Sequence, residues 1–134
     1  MTDQALVALA HSMLERAYAP YSHFSVGAAL LCKDGSVFTG CNIENAAYGH
    51  SLCAERTALV KAVSEGHVHD WDTLAVISRG DDFCWPCGAC RQMLYEFHPT
   101  LRILVARGDQ SYQEVTLDLL MPHGFGPQHL SDFQ

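Results

Sequence analysis

The chain has 134 residues, 49% of them hydrophobic and 17% charged, which suits one soluble globular domain spanning 1–134. Its formal net charge is −7 with only eight Lys plus Arg. That excludes polymeric nucleic acid as the expected partner, because such affinity comes from cationic side chains that displace counterions. There is no apolar run long enough to cross a bilayer and no basic leader ahead of an apolar core, so a cytoplasmic chain with no membrane partner is expected. Six cysteines in a reducing compartment point to metal ligands or packed thiols rather than disulfides.

In chain order, Leu6, Leu9, Ala10, Met13, Leu14 and Ala17 recur at helical spacing, with Asp3 as the expected cap and Pro20 beyond the end. Strands are predicted at Ser25–Cys32 and Val37–Asn42, joined by Lys33-Asp34-Gly35-Ser36, a hairpin signal because Asp-Gly tolerates positive φ. An irregular stretch, Ile43–Leu52, leads to a helix over Cys53–Glu65 with Gly66 as its C-terminal stop. Thr73–Ser78 reads as a buried strand. Pro86 suits the first position of a helix over Cys87–Phe97. Arg102–Ala106 and Tyr112–Thr116 read as strands, Leu117–Met121 as a helical turn and Pro122–Gln134 as irregular. Strands interleaved with helices suggest an α/β sandwich on one mixed sheet whose strand order the spacing leaves open.

The chemistry concentrates at two helix starts, Cys53-Ala54-Glu55-Arg56 and Pro86-Cys87-Gly88-Ala89-Cys90. Cys87 and Cys90, three apart on a helix, can face one ion. Zinc prefers four tetrahedral ligands, so three thiolates from Cys53, Cys87 and Cys90 leave one position for water, the pattern of a catalytic site. Glu55 can reach the same site only beyond the first turn of its helix, where unpaired N–H groups and the positive dipole end also point. Arg56 can draw charge from the sulfurs; a surface ion pair is the plainer alternative for it. Cys-x-x-Cys alone is as often a redox pair or core packing. His67-x-His69 is more often solvated than ligating, and Cys32, Cys41 and Cys84 are expected to pack as small hydrophobes.

These segments, with Pro20-Tyr21-Ser22, Cys41-Asn42-Ile43-Glu44-Asn45-Ala46-Ala47-Tyr48, Arg91-Gln92 and Phe125-Gly126-Pro127, resemble the small, homotetrameric, zinc-dependent cytidine deaminases over nearly the whole chain. Zinc deaminases place a ligand and a catalytic Glu two apart, ahead of Pro-Cys-x-x-Cys. The resemblance implies a three-layer α/β/α sandwich with a mixed five-stranded sheet. It implies hydrolysis of cytidine and deoxycytidine to uridine, deoxyuridine and ammonia in pyrimidine salvage, with a zinc-activated water attacking C4 and Glu55 shuttling protons. It further implies that Asn42 and Glu44 bind the ribose hydroxyl, that Phe24 packs on the pyrimidine and that the Ala54 backbone meets the base carbonyl. Tyr48 belongs to the pocket, and Phe125 reaches a neighbouring subunit's site within a homotetramer. Core packing is the alternative for Phe24 and Phe125, and a turn with a solvated acid for Asn42 and Glu44.

Trp85 stands where that family more often has a small residue such as Ser, beside the 4-substituent of the base. The indole is expected to reshape the leaving-group pocket, unless it packs into the core or an interface. A blasticidin-type deaminase shares the cysteine segments, but the Asn42-x-Glu44 run favours the nucleoside enzyme. The acidic charge disfavours a polynucleotide-editing deaminase. Glu55 and the missing fourth ligand disfavour a structural zinc module.

Overall fold

The computed structural model describes residues 1–130; of the segment Pro122–Gln134, the positions 131–134 lie outside it. The chain begins with helix α1 (Asp3–Ser12). Its cap is Thr2 rather than Asp3: the Thr2 hydroxyl accepts from Ala5 N at 3.1 Å. Asp3 is thereby free to pair with Arg102, which also holds Glu114 at 2.7 Å. The helix tightens into a 3₁₀ turn over Met13–Arg16, which keeps Leu14 buried.

Strands β1 (Val26–Cys32) and β2 (Val37–Cys41) form the expected hairpin. Gly35 takes φ +93° in its turn, a conformation that costs glycine nothing. Helix α2 (Ala54–Ser64) ends at Glu65, and Gly66 follows with φ +89°. Strand β3 (Trp71–Ser78), helix α3 (Gly88–Phe97) and strands β4 (Arg102–Ala106) and β5 (Tyr112–Thr116) complete the order, followed by a 3₁₀ turn over Leu117–Leu120. Pro86 is not the first residue of α3; Cys87 is its N-cap with extended ψ of 168°, and Pro86 precedes it.

The sheet order is β2-β1-β3-β4-β5. Only β3 and β4 are parallel; the other pairs are antiparallel. Side chains of the central strands alternate between two cores, as the pleat requires. Ala28, Leu30, Leu74, Val76, Ile103 and Val105 pack beneath α2 and α3. Ala29, Ala75, Ile77, Leu104 and Ala106 pack against Leu6, Val7, Ala10 and Leu14 of the N-terminal helix. The result is the three-layer α/β/α sandwich.

The stretch Ile43–Leu52 is less irregular than its sequence suggests. Ile43 bridges Tyr18 on one side and Leu52 on the other, and Tyr48–His50 forms a 3₁₀ turn. These bridges carry the chain from the end of β2 to the start of α2. Gly40 sets how closely α2 lies on β2. A Cβ there would stand 2.6 Å from Ala58 N and closer still to Ala54 O.

Two predictions follow from these contacts. Gly40→Ala should lower the unfolding free energy by roughly 1–3 kcal/mol through overpacking, read by urea denaturation. Asp3→Asn tests the pair that ties α1 to β4. Arg102 holds the Asp3 carboxyl below its ordinary pKa, first through their hydrogen bond. Its stabilisation is therefore present above the ordinary carboxylate range and fades as pH falls through the lowered value. Both partners are about one-third exposed, so solvent screening keeps the effect to roughly 0.2–1 kcal/mol. A Tm loss of about 1–4 °C is expected at neutral pH, shrinking toward zero as pH falls through the lowered value.

Candidate active site

Two helix N-termini meet at one end of the sandwich, and a cysteine caps each. Cys53 precedes α2 with ψ 156°, and Cys87 precedes α3 with ψ 168°. Each carbonyl accepts the first helical hydrogen bond, from Thr57 N at 3.0 Å and Arg91 N at 2.9 Å. Cys53 thus lies just outside its helix, and Glu55 occupies the second helical position, so the pair need not share a helical face. Cys90 is buried on the first turn of α3. Arg91 anchors the approach to this helix: its Nε donates to Pro86 O at 2.7 Å and its Nη1 to Leu120 O at 3.2 Å.

The three sulfurs converge. Cys53 Sγ is 3.6 Å from Cys87 Sγ, and Cys87 Sγ is 3.5 Å from Cys90 Sγ. Tetrahedral zinc with bonds of about 2.3 Å spaces its sulfur ligands about 3.8 Å apart, so the cluster fits the ion closely. All six cysteines are free thiols. Cys53 is held below the usual thiol range, first by its hydrogen bond with Cys90 and then by Arg56 and Cys87. The Cys90 thiol is pushed the other way by the same shared bond, by burial and by nearby negative charge. The first proton therefore leaves readily, while the remaining thiol resists ionising beside a thiolate. A cation supplies the compensation that full ionisation needs.

Arg56 Nη2 lies 3.4 Å from Cys53 Sγ, so its charge is spent on a sulfur rather than on a surface carboxylate. Glu55 is only 4% exposed. Burial, opposed by backbone hydrogen bonding and reinforced by the charge at Cys53, pushes its carboxyl up to about 7.

A cavity of about 260 Å³ opens over this cluster, lined by Phe24, Asn42, Glu44, Cys53, Ala54, Glu55, Cys84, Trp85 and Cys87, with Ser22 and Val26. Most residues singled out in the sequence meet here. Tyr48, 74% exposed, does not line it but borders two adjoining depressions, one with Tyr21, Ser22, Glu44 and Ser51 and one with Asn42, Glu44, Cys53 and Arg56. Phe125 is also absent from its own chain's cavity. It is 55% exposed and stacks on His129, and its carbonyl accepts from Gln92 Nε2 at 2.9 Å.

Asn42 and Glu44 have structural duties that their sequence positions did not disclose. The Asn42 side chain accepts from Val26 N at 2.9 Å and donates to Phe24 O at 2.7 Å, so it holds Phe24 at the rim. Glu44 accepts from Tyr21 N at 3.0 Å, from Ser22 N at 3.1 Å and from the Ser22 hydroxyl. A carboxylate has about four lone-pair sites, so capacity remains. Cys84 is a cavity wall as well as a packed thiol; burial and the charge of Glu55 push it up to about 12, which keeps it neutral. Ser22 was missed as a lining residue, although Pro20-Tyr21-Ser22 marked its segment.

Residues 1–106 match the family model described as the cytidine and deoxycytidylate deaminase zinc-binding region. The chain belongs to this family. It is 46% identical over 133 residues to a cytidine deaminase of Halalkalibacterium halodurans, covering 98% of this chain and 100% of that one. It is 43% identical over 132 residues to one from Sporosarcina psychrophila, covering 98% and 96%. The fold superposes on the crystal structure of a cytidine deaminase from Burkholderia pseudomallei with a TM-score of 0.90 at 43% identity, over 93% of this chain and all of that one. The family is a zinc-binding one, and the cluster of Cys53, Cys87 and Cys90 is a donor set that could hold such an ion.

Arg56→Gln should weaken zinc binding by roughly 10–100-fold, the usual cost of losing a partner that tunes a ligand, with the helical circular dichroism unchanged. Competition with a chromogenic chelator measures the change.

Proposed function

We propose that this chain is a hydrolase that converts cytidine and deoxycytidine to uridine and deoxyuridine with release of ammonia, serving pyrimidine salvage as one catalytic domain in the cytoplasm. The observation that carries the reading is a buried carboxylate, Glu55, on the floor of a cavity beside three converging sulfurs. No helix among the described residues is long and apolar enough to cross a membrane.

Cys53, Cys87 and Cys90 would hold the zinc ion, which would make water a competent nucleophile near neutral pH. Glu55 does the proton work. Its carboxylate takes a proton from the attacking water and hands it to N3 of the ring, which makes C4 electrophilic. It then moves a second proton to the amino group, which leaves as ammonia. A carboxyl raised toward neutrality suits both duties, because it gives and takes a proton with little penalty. Burial also excludes bulk water from the exchange.

Phe24 lies against the pyrimidine face, and the Ala54 backbone meets the base carbonyl. Asn42 and Glu44 offer their remaining hydrogen-bonding capacity to the ribose hydroxyl while fixing the Tyr21–Val26 segment. Tyr48 closes the outer side. Phe125, which does not line its own cavity, serves the site of a neighbouring copy in a homotetramer. Trp85, in the cavity wall, limits the room beside the 4-amino group.

Glu55→Gln should keep its zinc and lose roughly 10³-fold or more in kcat, as expected when a single proton carrier serves several steps. Cys87→Ala should lose both metal and activity. The loss of near-ultraviolet absorbance on adding cytidine, with metal analysis alongside, reads both; near wild-type turnover in Glu55→Gln would defeat the assignment. Trp85→Ser should raise turnover of N4-substituted cytidines relative to cytidine, and an unchanged ratio would remove Trp85 from the leaving-group pocket.

A further inference from the structure

A second cluster of metal-binding groups lies at the opposite end of the sandwich. Cys53 caps the start of α2, whereas His67 follows its end, and an eleven-residue helix spans about 16 Å. The hairpin turn after β1 and the segment joining α2 to β3 meet here. Lys33 N donates to Asp70 O at 2.7 Å, His67 N to Ala62 O at 2.9 Å and the Trp71 indole to His67 O at 2.8 Å. The first of these bonds joins the two loops and the other two brace the α2–β3 segment internally, all independently of any ion.

Between them, single donor atoms of Cys32, His67 and Asp70 all lie within 4.8 Å of one another. Cys32 is 1% exposed and forms the floor. The His67 ring is 19% exposed; its Nδ1 is 2.7 Å from Asp70 Oδ2, and its Nε2 is 3.8 Å from Asp34 Oδ2. Asp34, 54% exposed, stands at the rim. Asp70 Oδ1 is buried and has no hydrogen-bond partner, an arrangement that costs free energy unless something else satisfies the oxygen. Among the described residues neither Asp34 nor Asp70 is paired with a lysine or arginine; His67 is the ion-pair partner of both. A buried thiol, an imidazole flanked by two carboxylates and an unsatisfied buried carboxylate oxygen thus lie close enough together to share one ion in place of the imidazole proton.

We propose that Cys32, His67 and Asp70, with Asp34 at the open rim, form a second divalent-metal site that takes zinc and clamps the β1–β2 hairpin to the end of α2. Thiolate, imidazole and carboxylate together suit zinc better than calcium or magnesium, which prefer oxygen ligands alone. On binding, the Cys32 thiol releases its proton to solvent and sulfur takes the place of water on the ion. The site is structural: it lies away from the catalytic cavity, and no residue of it lines that cavity. Loading it should stabilise the chain without changing the chemistry.

The test uses the purified zinc-loaded protein, dialysed against buffered zinc at increasing free concentration, with bound metal counted per chain. Wild type should bind one equivalent more than His67→Ala and Asp70→Asn, while all three keep the same kcat on cytidine. Excess zinc at about a hundredfold over its Kd should raise the wild-type Tm by roughly 6–10 °C and leave both variants unmoved. Cobalt added to the zinc-loaded protein should give a thiolate charge-transfer band that disappears in Cys32→Ser. An equal metal count in wild type and the two loop variants would overturn the proposal. So would an extra equivalent that persists in both variants, because that ion would lie elsewhere.

Discussion

Three sulfur atoms within about 3.6 Å of a neighbour form the constraint on which this molecule is arranged. Thiolates at that spacing repel, and nothing local to Cys53 or Cys87 would bring them together. The fold does so by butting the N-termini of α2 and α3 against each other, so that each cysteine sits where a helix begins and where the positive dipole end partly offsets its charge. Arg56 adds a full charge from the first turn of α2. The close approach of α2 to β2 over Gly40 and the anchoring of α3 by Arg91 hold the two ends in place.

The same packing accounts for Glu55. As the second residue of a helix packed on the sheet, it is buried yet lines the cavity. Burial raises its proton affinity toward neutrality, and the cavity brings a small molecule to it. The buried carboxylate and the sulfur cluster are thus consequences of one contact between helix ends.

The rim follows a different logic. Asn42 and Glu44 spend part of their hydrogen-bonding capacity on the chain from Tyr21 to Val26, and this places Phe24 over the opening. Residues that touch a ligand can also build the wall around it. Reading them as either binders or turn formers sets up a choice that the structure does not require.

Much was legible in the linear chain because its signals are short-range. Hydrophobic periodicity, the Asp34-Gly35 turn and the Gly66 stop each act within a few residues, and they located the five strands and three principal helices to within one or two positions at most ends. The exceptions lay at α1: Thr2 rather than Asp3 is its cap while the Asp3 carboxylate pairs with Arg102, 99 residues away, and a 3₁₀ turn shortened the helix. Cys53, Cys87, Cys90 and Glu55 stood out because metal and proton chemistry demand specific atoms, and the fold brings the three sulfurs together beside the buried carboxylate. Only the tertiary structure decided the order β2-β1-β3-β4-β5, the separation of Tyr48 and Phe125 from the cavity of their own chain, and the meeting of Cys32 with His67 and Asp70. These depend on which surfaces pack together, and burial of apolar area carries no record of sequence distance.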